Sequence, residues 1–414
     1  MIGVLQKVSK ILVVLLLVLL PWHGVISVFF PSIFSFWKEC ILILLLLILL
    51  LQFKIREGDC FFKNPSFWAV LFLFWLLVLV GFQKFDLYAI ISARYLGMGV
   101  FVFLVMTQWL ESVSNREEND QLSKQYFFPK FFTFFIYSCT LSVLFGIWMK
   151  FFGGIEILKN FYAQTISSWV PGQTIPIYHE VGNFIRMQGA SSGPIEFSHL
   201  LVSALFLFLW KKREVRLKLL DYVVLAFLFF GIFQSFSRAA LVVSLFLAGW
   251  FLWKKAKESK WKKLIFIGLG IFSLVILGGL VVNKEGLNKK IIQRAGTSQH
   301  FTRPIEALKL GMEHPLIGDL ASIGPSARQR NLILHNDDKA LIAENIFIDI
   351  FVQTGIVGLL MMFLFFVSLW RRFSLDSRVF LISVLLLGGM ATIFDMTPIS
   401  ISYFLIFACL RKYG

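Results

Sequence analysis

Residues 343–360 read AENIFIDIFVQTGIVGLL. They close a long polar stretch and open an apolar one. Glu344 and Asn345 stand at the opening, and Gly355 and Gly358 follow inside the apolar run. A polar pair at the start of such a run belongs at a boundary between water and lipid. Small residues one helical turn apart let another helix approach closely. The stretch therefore predicts a membrane helix with a polar mouth, and asks whether the rest of the chain is built for a bilayer.

Composition answers that it is. Of 414 residues, 58% are hydrophobic, 48 are Phe, and only 15% are charged, against about 25% in soluble domains. Several runs reach the roughly 20 apolar residues that cross a bilayer. Twelve spans are expected, near 11–30, 34–53, 66–82, 87–110, 127–150, 195–210, 219–235, 238–253, 264–282, 344–370, 377–394 and 397–411. The expectation is an all-α polytopic membrane protein with one integral membrane domain over 1–414. Long connections fall at 151–194 and, between spans nine and ten, at 283–343.

The net charge of +16 is distributed for a membrane and not for nucleic acid. Lys7, Lys10, Lys54, Arg56, Lys63, Arg116, Lys124, Lys130, the runs KKREVRLK and KKAKESKWKK, Arg371, Arg372, Arg378, Arg411 and Lys412 fall in alternate connections. The opposite short loops carry little beyond Lys38 and Lys84. By the positive-inside rule both termini are cytoplasmic and the two long connections lie outside. Lys7 and Lys10 before an apolar run resemble a signal peptide, but Pro21-Trp22-His23-Gly24 offers no cleavage site, so an uncleaved first span is expected. The four cysteines show no disulfide or zinc spacing.

Candidate chemistry gathers at the outer side. Arg94 lies within span four, where an arginine has two readings: a contact to an anionic lipid head group, or snorkelling to the interface. Arg186-Met-Gln-Gly189 precedes span six, where Glu196 and His199 share a helix face. Ser237-Arg238 tips a tight hairpin between spans seven and eight. An arginine held there binds a phosphate through two parallel hydrogen bonds. The second long connection holds Arg303, His314-Pro315-Leu-Ile-Gly318, Arg328, Arg330 and His335, with nine Lys and Arg between 283 and 340. A short helix over 305–312 and a turn at HPLIG suggest an ordered lid suited to a polyanionic ligand. No metal pattern, P-loop or glycine-rich nucleotide loop appears, so neither metal nor cofactor is expected. Any substrate must arrive already activated and be reachable from outside. Asp349 inside span ten keeps a second class open, a proton-coupled transporter or flippase.

Four pieces, in this order, resemble the bacterial O-antigen ligase and polymerase superfamily: Arg186-Met-Gln-Gly189 with Pro194, Ser237-Arg238, Arg303 with His314-Pro315-Leu-Ile-Gly318, and Glu344-Asn345-x9-Gly355-x-x-Gly358. With the topology, the resemblance covers about 85–411. It implies a glycosyltransferase of the bacterial inner membrane that acts at the periplasmic face, inverts the anomeric carbon and needs no metal. Its donor is a glycan on undecaprenyl diphosphate. Its acceptor is either another lipid-linked glycan (polymerase) or lipid A-core (ligase). Arg238 would hold the diphosphate, with Arg186, Arg303, Arg94, His314 and Asn345 as further substrate contacts. Ligases of this family place His where Glu344 stands. Glu344 is therefore the expected general base, which favours the polymerase branch, with His335 as the substitute.

Overall fold

The computed structural model describes residues 2–29, 37–50, 64–114, 121–153, 180–181, 184–213, 215, 217–256, 297–335, 341–391 and 396–413. The expected ninth span and residues 154–179 and 283–296 of the long connections lie outside the described residues. The chain forms two compact units interleaved in sequence, residues 1–44 with 117–296 and residues 45–116 with 297–414.

Six described helices are long and apolar enough to cross a membrane: Val4–Ile26, Pro65–Phe82, Leu87–Glu111, Phe131–Phe151, Pro194–Lys212 and Ile346–Arg372. The protein is a multi-pass, helical membrane protein. Other expected spans appear as shorter helices, among them α3 (Trp37–Leu50), which runs across the division in the chain.

In the first unit, α1 (Ile2–Leu19) passes through a 3-10 turn at Leu20–Trp22 into α2 (His23–Phe29). Pro21 has no N–H to continue the helix, which is why the chain turns there. Next come α4 (Pro65–Phe82) and α5 (Leu87–Ser114), which belong to the second unit, and then α6 (Gln121–Phe151). A small antiparallel ribbon pairs β1 (Glu180–Val181) with β2 (Phe184–Ile185). After it come α7 (Pro194–Lys212), α8 (Leu219–Gln234) and α9 (Arg238–Ala256). Helix α7 is the hub: α6, α8 and α9 all pack on it, and Phe197 through Phe208 are buried without a break. A helix apolar on every face is stable only when enclosed in this way.

The second unit adds α10 (Thr297–Gly311), α11 (Gly324–His335), α12 (Ile346–Arg372), α13 (Leu375–Gly388) and α14 (Thr397–Tyr413). Helix α5 packs along α14 and against α4, and α4 packs on α12. The expected short helix in the second connection is present as α10. Helix α11, in contrast, lies where the sequence shows little apolar periodicity. Ala307, Ile323, Ala343 and Val352 form a small buried core that fastens α10 and the start of α11 onto α12.

Span ten departs from the expected continuous helix. Gly355 takes φ 67°, ψ −173°, a backbone region open essentially to glycine, and divides α12 into halves 346–354 and 356–372. In an unbroken helix the Ile356 N–H would bond to the Val352 carbonyl. Here Ile356 N–H donates to Pro315 O at 2.9 Å, and Val352 O accepts from Asp319 N–H at 2.9 Å. The Pro315–Asp319 turn is thus inserted into one helical hydrogen bond and satisfies both of its ends. Trp75 Nε1–H donates to the Thr354 carbonyl at 3.0 Å. The approach leaves no room for a side chain: a Cβ on Gly355 would lie 2.2 Å from Leu316 O, and one on Gly318 2.4 Å from Gly355 N. The paired glycines of span ten and of HPLIG serve this insertion.

Gly355→Ala should therefore lower stability by at least about 2 kcal/mol, from the backbone region and the contact with Leu316 together. Gly81→Ala, in α4 with nothing within 4 Å of the added carbon, should be neutral or slightly stabilising. Thermal unfolding of the detergent-purified protein compares the two. Equal melting temperatures would show that the helix break does not depend on glycine.

Candidate functional site

The expected site residues fall into two clusters, one in each unit.

In the first unit the hairpin GIFQSFSRAAL turns over 235–237, with Phe236 at φ 52°. Ser235 Oγ accepts from Ser237 N–H at 3.2 Å and donates to Ile232 O at 2.6 Å, which closes the turn. Arg238 is consequently the first residue of α9 and is exposed. A cation there opposes the helix dipole, so helix stability does not explain its place. Arg186 lies beside it. Its Nε–H donates to Ser235 O at 2.7 Å, and the neighbouring Met187 N–H to Gln234 O at 2.9 Å. Burial, and then the Arg238 charge, pull the Arg186 guanidinium down to about 10. Arg186 stays cationic at neutral pH, and a bound anion would relieve both its repulsion with Arg238 and the dipole mismatch.

The segment 186–193 is held tightly. Gly189, at φ 54°, brings the chain against Ser142 and Phe197, where a Cβ would lie 2.3 Å from the Phe197 ring. Ala190 N–H donates to Ser142 Oγ at 2.9 Å, and Ala190 O accepts from Val25 N–H at 3.1 Å. Glu196 accepts from Ser192 Oγ at 2.7 Å, closing the start of α7, and His199 is buried one turn on.

Two side chains outside the sequence-based expectation join this cluster. Lys150, at the C-terminal end of α6, donates to Gln234 Oε1 at 2.5 Å and lies over the rings of Phe151 and Phe236. Gln188 is 4% exposed, and among the described residues neither its Oε1 nor its Nε2 has a hydrogen-bond partner. A buried amide left so costs about 1–3 kcal/mol. Lys150 had one legible signal, a cation at the span end expected to lie outside, where the positive-inside rule supplies no reason for it.

In the second unit Glu344 and Arg303 form an ion pair, Nη1 to Oε1 at 2.6 Å. With side chains 16% and 39% exposed, the pair is reachable from water. Glu344 sits at φ 52°, a left-handed conformation that a non-glycine residue holds only where the surroundings impose it. The next residue, Asn345, is the N-cap of α12. Its Oδ1 accepts from the N–H groups of Phe347 and Ile348, and its Nδ2–H donates to Gly389 O at 3.2 Å. His314 is exposed at the start of the inserted turn, where Gly318 N–H donates to its carbonyl at 2.8 Å. Burial pushes the Asp319 carboxyl at the end of that turn upward, against the pull of Arg330, His314 and Gln83. Arg94 is half-buried on α5, 5.4 Å from the Tyr95 ring. Asp349 accepts from Gln353 Nε2 at 2.9 Å, and Gln353 accepts in turn from Ser92. His335 ends α11, and its side chain lies outside the described residues. Among the described residues no three His, Cys, Asp or Glu side chains converge as a metal site would require.

Residues 222–363 match the family model for O-antigen ligase. This stretch resembles the O-antigen ligase family. The chain is also similar to an O-antigen polymerase of Salmonella muenchen, 21% identical over 221 residues, covering 50% of this chain and 52% of that protein. The similarity thus spans about half the length of that relative. The family match contains Arg238, Arg303, Glu344, Asn345 and both glycines of the broken helix. Lys150, Arg186 and Gln188 precede it.

If Arg186 and Arg238 share an anion, inorganic pyrophosphate should raise the melting temperature of the purified protein. At 100 times its dissociation constant the gain is about 2.7 kcal/mol. Arg238→Gln should remove most of it. A shift equal in variant and wild type would show that the two arginines do not share an anion.

Proposed function

We propose that this protein is a glycosyltransferase that polymerises a surface polysaccharide from repeat units carried on undecaprenyl diphosphate. The observation that carries the reading is the Arg186–Arg238 pair at the tip of the α8–α9 hairpin. Two cations set beside a helix N-terminus suit a diphosphate leaving group. The similarity to an O-antigen polymerase and the glutamate at position 344 support the polymerase branch.

In the reaction, a hydroxyl oxygen of the acceptor glycan attacks the anomeric carbon of the donor. The bond from that carbon to the diphosphate oxygen breaks, and its electron pair leaves with the lipid diphosphate. The configuration inverts. The positive charge of Arg238 and Arg186 stabilises the negative charge that grows on the leaving oxygen, so no metal is required for that task. Within the second unit, Glu344 is the candidate base for a hydroxyl proton, and Arg303 fixes the orientation of its carboxylate. His335 is the substitute base. Asn345 caps α12 beside Glu344, and Arg94 and His314 contact substrate or lipid head groups. The protein would sit in the bacterial inner membrane with about twelve spans, both termini cytoplasmic, and this chemistry at the periplasmic face.

A ligase, with lipid A-core as acceptor, is the second reading, favoured by the family model that matches 222–363. Both readings share a donor and differ in acceptor.

Glu344→Gln keeps the shape and removes the base. Transfer by the purified variant should fall by roughly 10²–10⁴-fold with little change in melting temperature, and normal turnover would make Glu344 structural. The surface glycan ladder of a deletion strain separates the branches. Core carrying a single repeat identifies a polymerase. Bare core with accumulated lipid-linked polymer identifies a ligase. An unchanged ladder that is also unaffected by restoring the gene would overturn both.

A further inference from the structure

We propose that Gln188 is a donor-binding residue that reads a hydroxyl on the sugar joined to the diphosphate, in a pocket shared with Arg186 and Lys150. This rests on the lipid-diphosphate reading of the preceding section and adds to it the recognition of the first sugar.

The pocket lies in the first unit, between the C-terminal end of α6 and the segment after β2. Gly146, Met149 and Lys150 line one side, and Arg186, Gln188 and Gly189 the other. It is narrow, with about the room that a single oxygen-bearing group needs. The frame around it is stiff. Met187 is bonded to the hairpin through Gln234, Ser191 N–H donates to Gln188 O at 3.1 Å, and Gly189 is pressed between Ser142 and Phe197. Gln188 is therefore carried at a set position, and its carboxamide is left without a protein partner among the described residues.

The chemistry of the lining narrows the ligand. Lys150 and Arg186 only donate, and suit phosphoryl oxygens. A carboxamide both donates and accepts. A phosphoryl oxygen would satisfy its NH2 and leave its oxygen unpaired, whereas a hydroxyl satisfies both ends. On a lipid-linked donor, the hydroxyl groups nearest the diphosphate are those of the first sugar. A site built to bond such a group rejects an analogue that lacks it much more strongly than an apolar pocket does.

Gln188→Leu nearly preserves volume and removes the unpaired amide, so it should keep or raise the melting temperature while weakening binding. The measurement is the Kd of purified protein for two water-soluble probes, a short-chain prenyl diphosphate and the same prenyl diphosphate carrying one sugar. Wild type should bind the sugar-bearing probe about tenfold more tightly or better, and Gln188→Leu should bind the two alike. Lys150→Gln should weaken both probes together. If Gln188→Leu discriminates between the probes as wild type does, the inference is wrong and the amide bonds only a buried water. A melting temperature lowered in Gln188→Leu with discrimination intact would likewise make the residue structural. If wild type binds neither probe, the diphosphate reading itself fails and the inference falls with it.

Discussion

A polar backbone group inside a bilayer has to find a partner within the protein. The second unit is organised around the place where that requirement is hardest to meet. Gly355 breaks α12 partway along its length, so the Val352 carbonyl and the Ile356 N–H lose each other. The turn from Pro315 to Asp319 enters the gap and bonds both, and Trp75 takes the carbonyl of Thr354. The late polar connection is thereby tied to the membrane helix by backbone hydrogen bonds, and the small core around Val352 and Ala307 reinforces the tie. Glu344 and Arg303 flank this construction, one at the mouth of α12 and the other on α10, so their pairing depends on the same docking.

The first unit meets a different constraint, the placement of positive charge. Arg238 begins a helix whose dipole repels it, Arg186 is partly buried next to it, and Lys150 stands at the C-terminal end of α6 with Gln234 as its hydrogen-bond acceptor. Helix dipole and like charge make the placement of the two arginines unfavourable in itself. Proteins keep such arrangements where a ligand repays them. The close glycine packing of the segment 186–193 keeps these groups from relaxing apart.

The two clusters use their polar groups differently. Asn345 is engaged as a helix cap and a tie to Gly389, next to Glu344 in its left-handed conformation. Gln188 is buried with a carboxamide that the described residues leave unbonded. Both are amides next to a charged candidate residue, and only their hydrogen-bond partners tell the scaffold from the contact.

Much of the architecture was legible in the chain. The apolar runs, the hairpin at Ser237-Arg238, the helix near 305–312 and the turn at HPLIG are local features, set by hydropathy, spacing and turn residues a few positions apart. Arg186, Arg238, Arg303 and Glu344 stood out as candidates as well, because charges are rare in so apolar a sequence. What the sequence left open depends on groups far apart along it. The glycines of span ten read as a helix-approach motif, and only the arrival of residues 315–319 made Gly355 a break. Arg303 found Glu344 41 residues away. Lys150 and Gln188 read as a helix end and a loop residue until the fold set them in one pocket. Hydropathy and local backbone preference act over short stretches and so appear in sequence. The partner of a backbone group, the company of a charge and the isolation of an amide are decided by packing, which only the tertiary structure supplies.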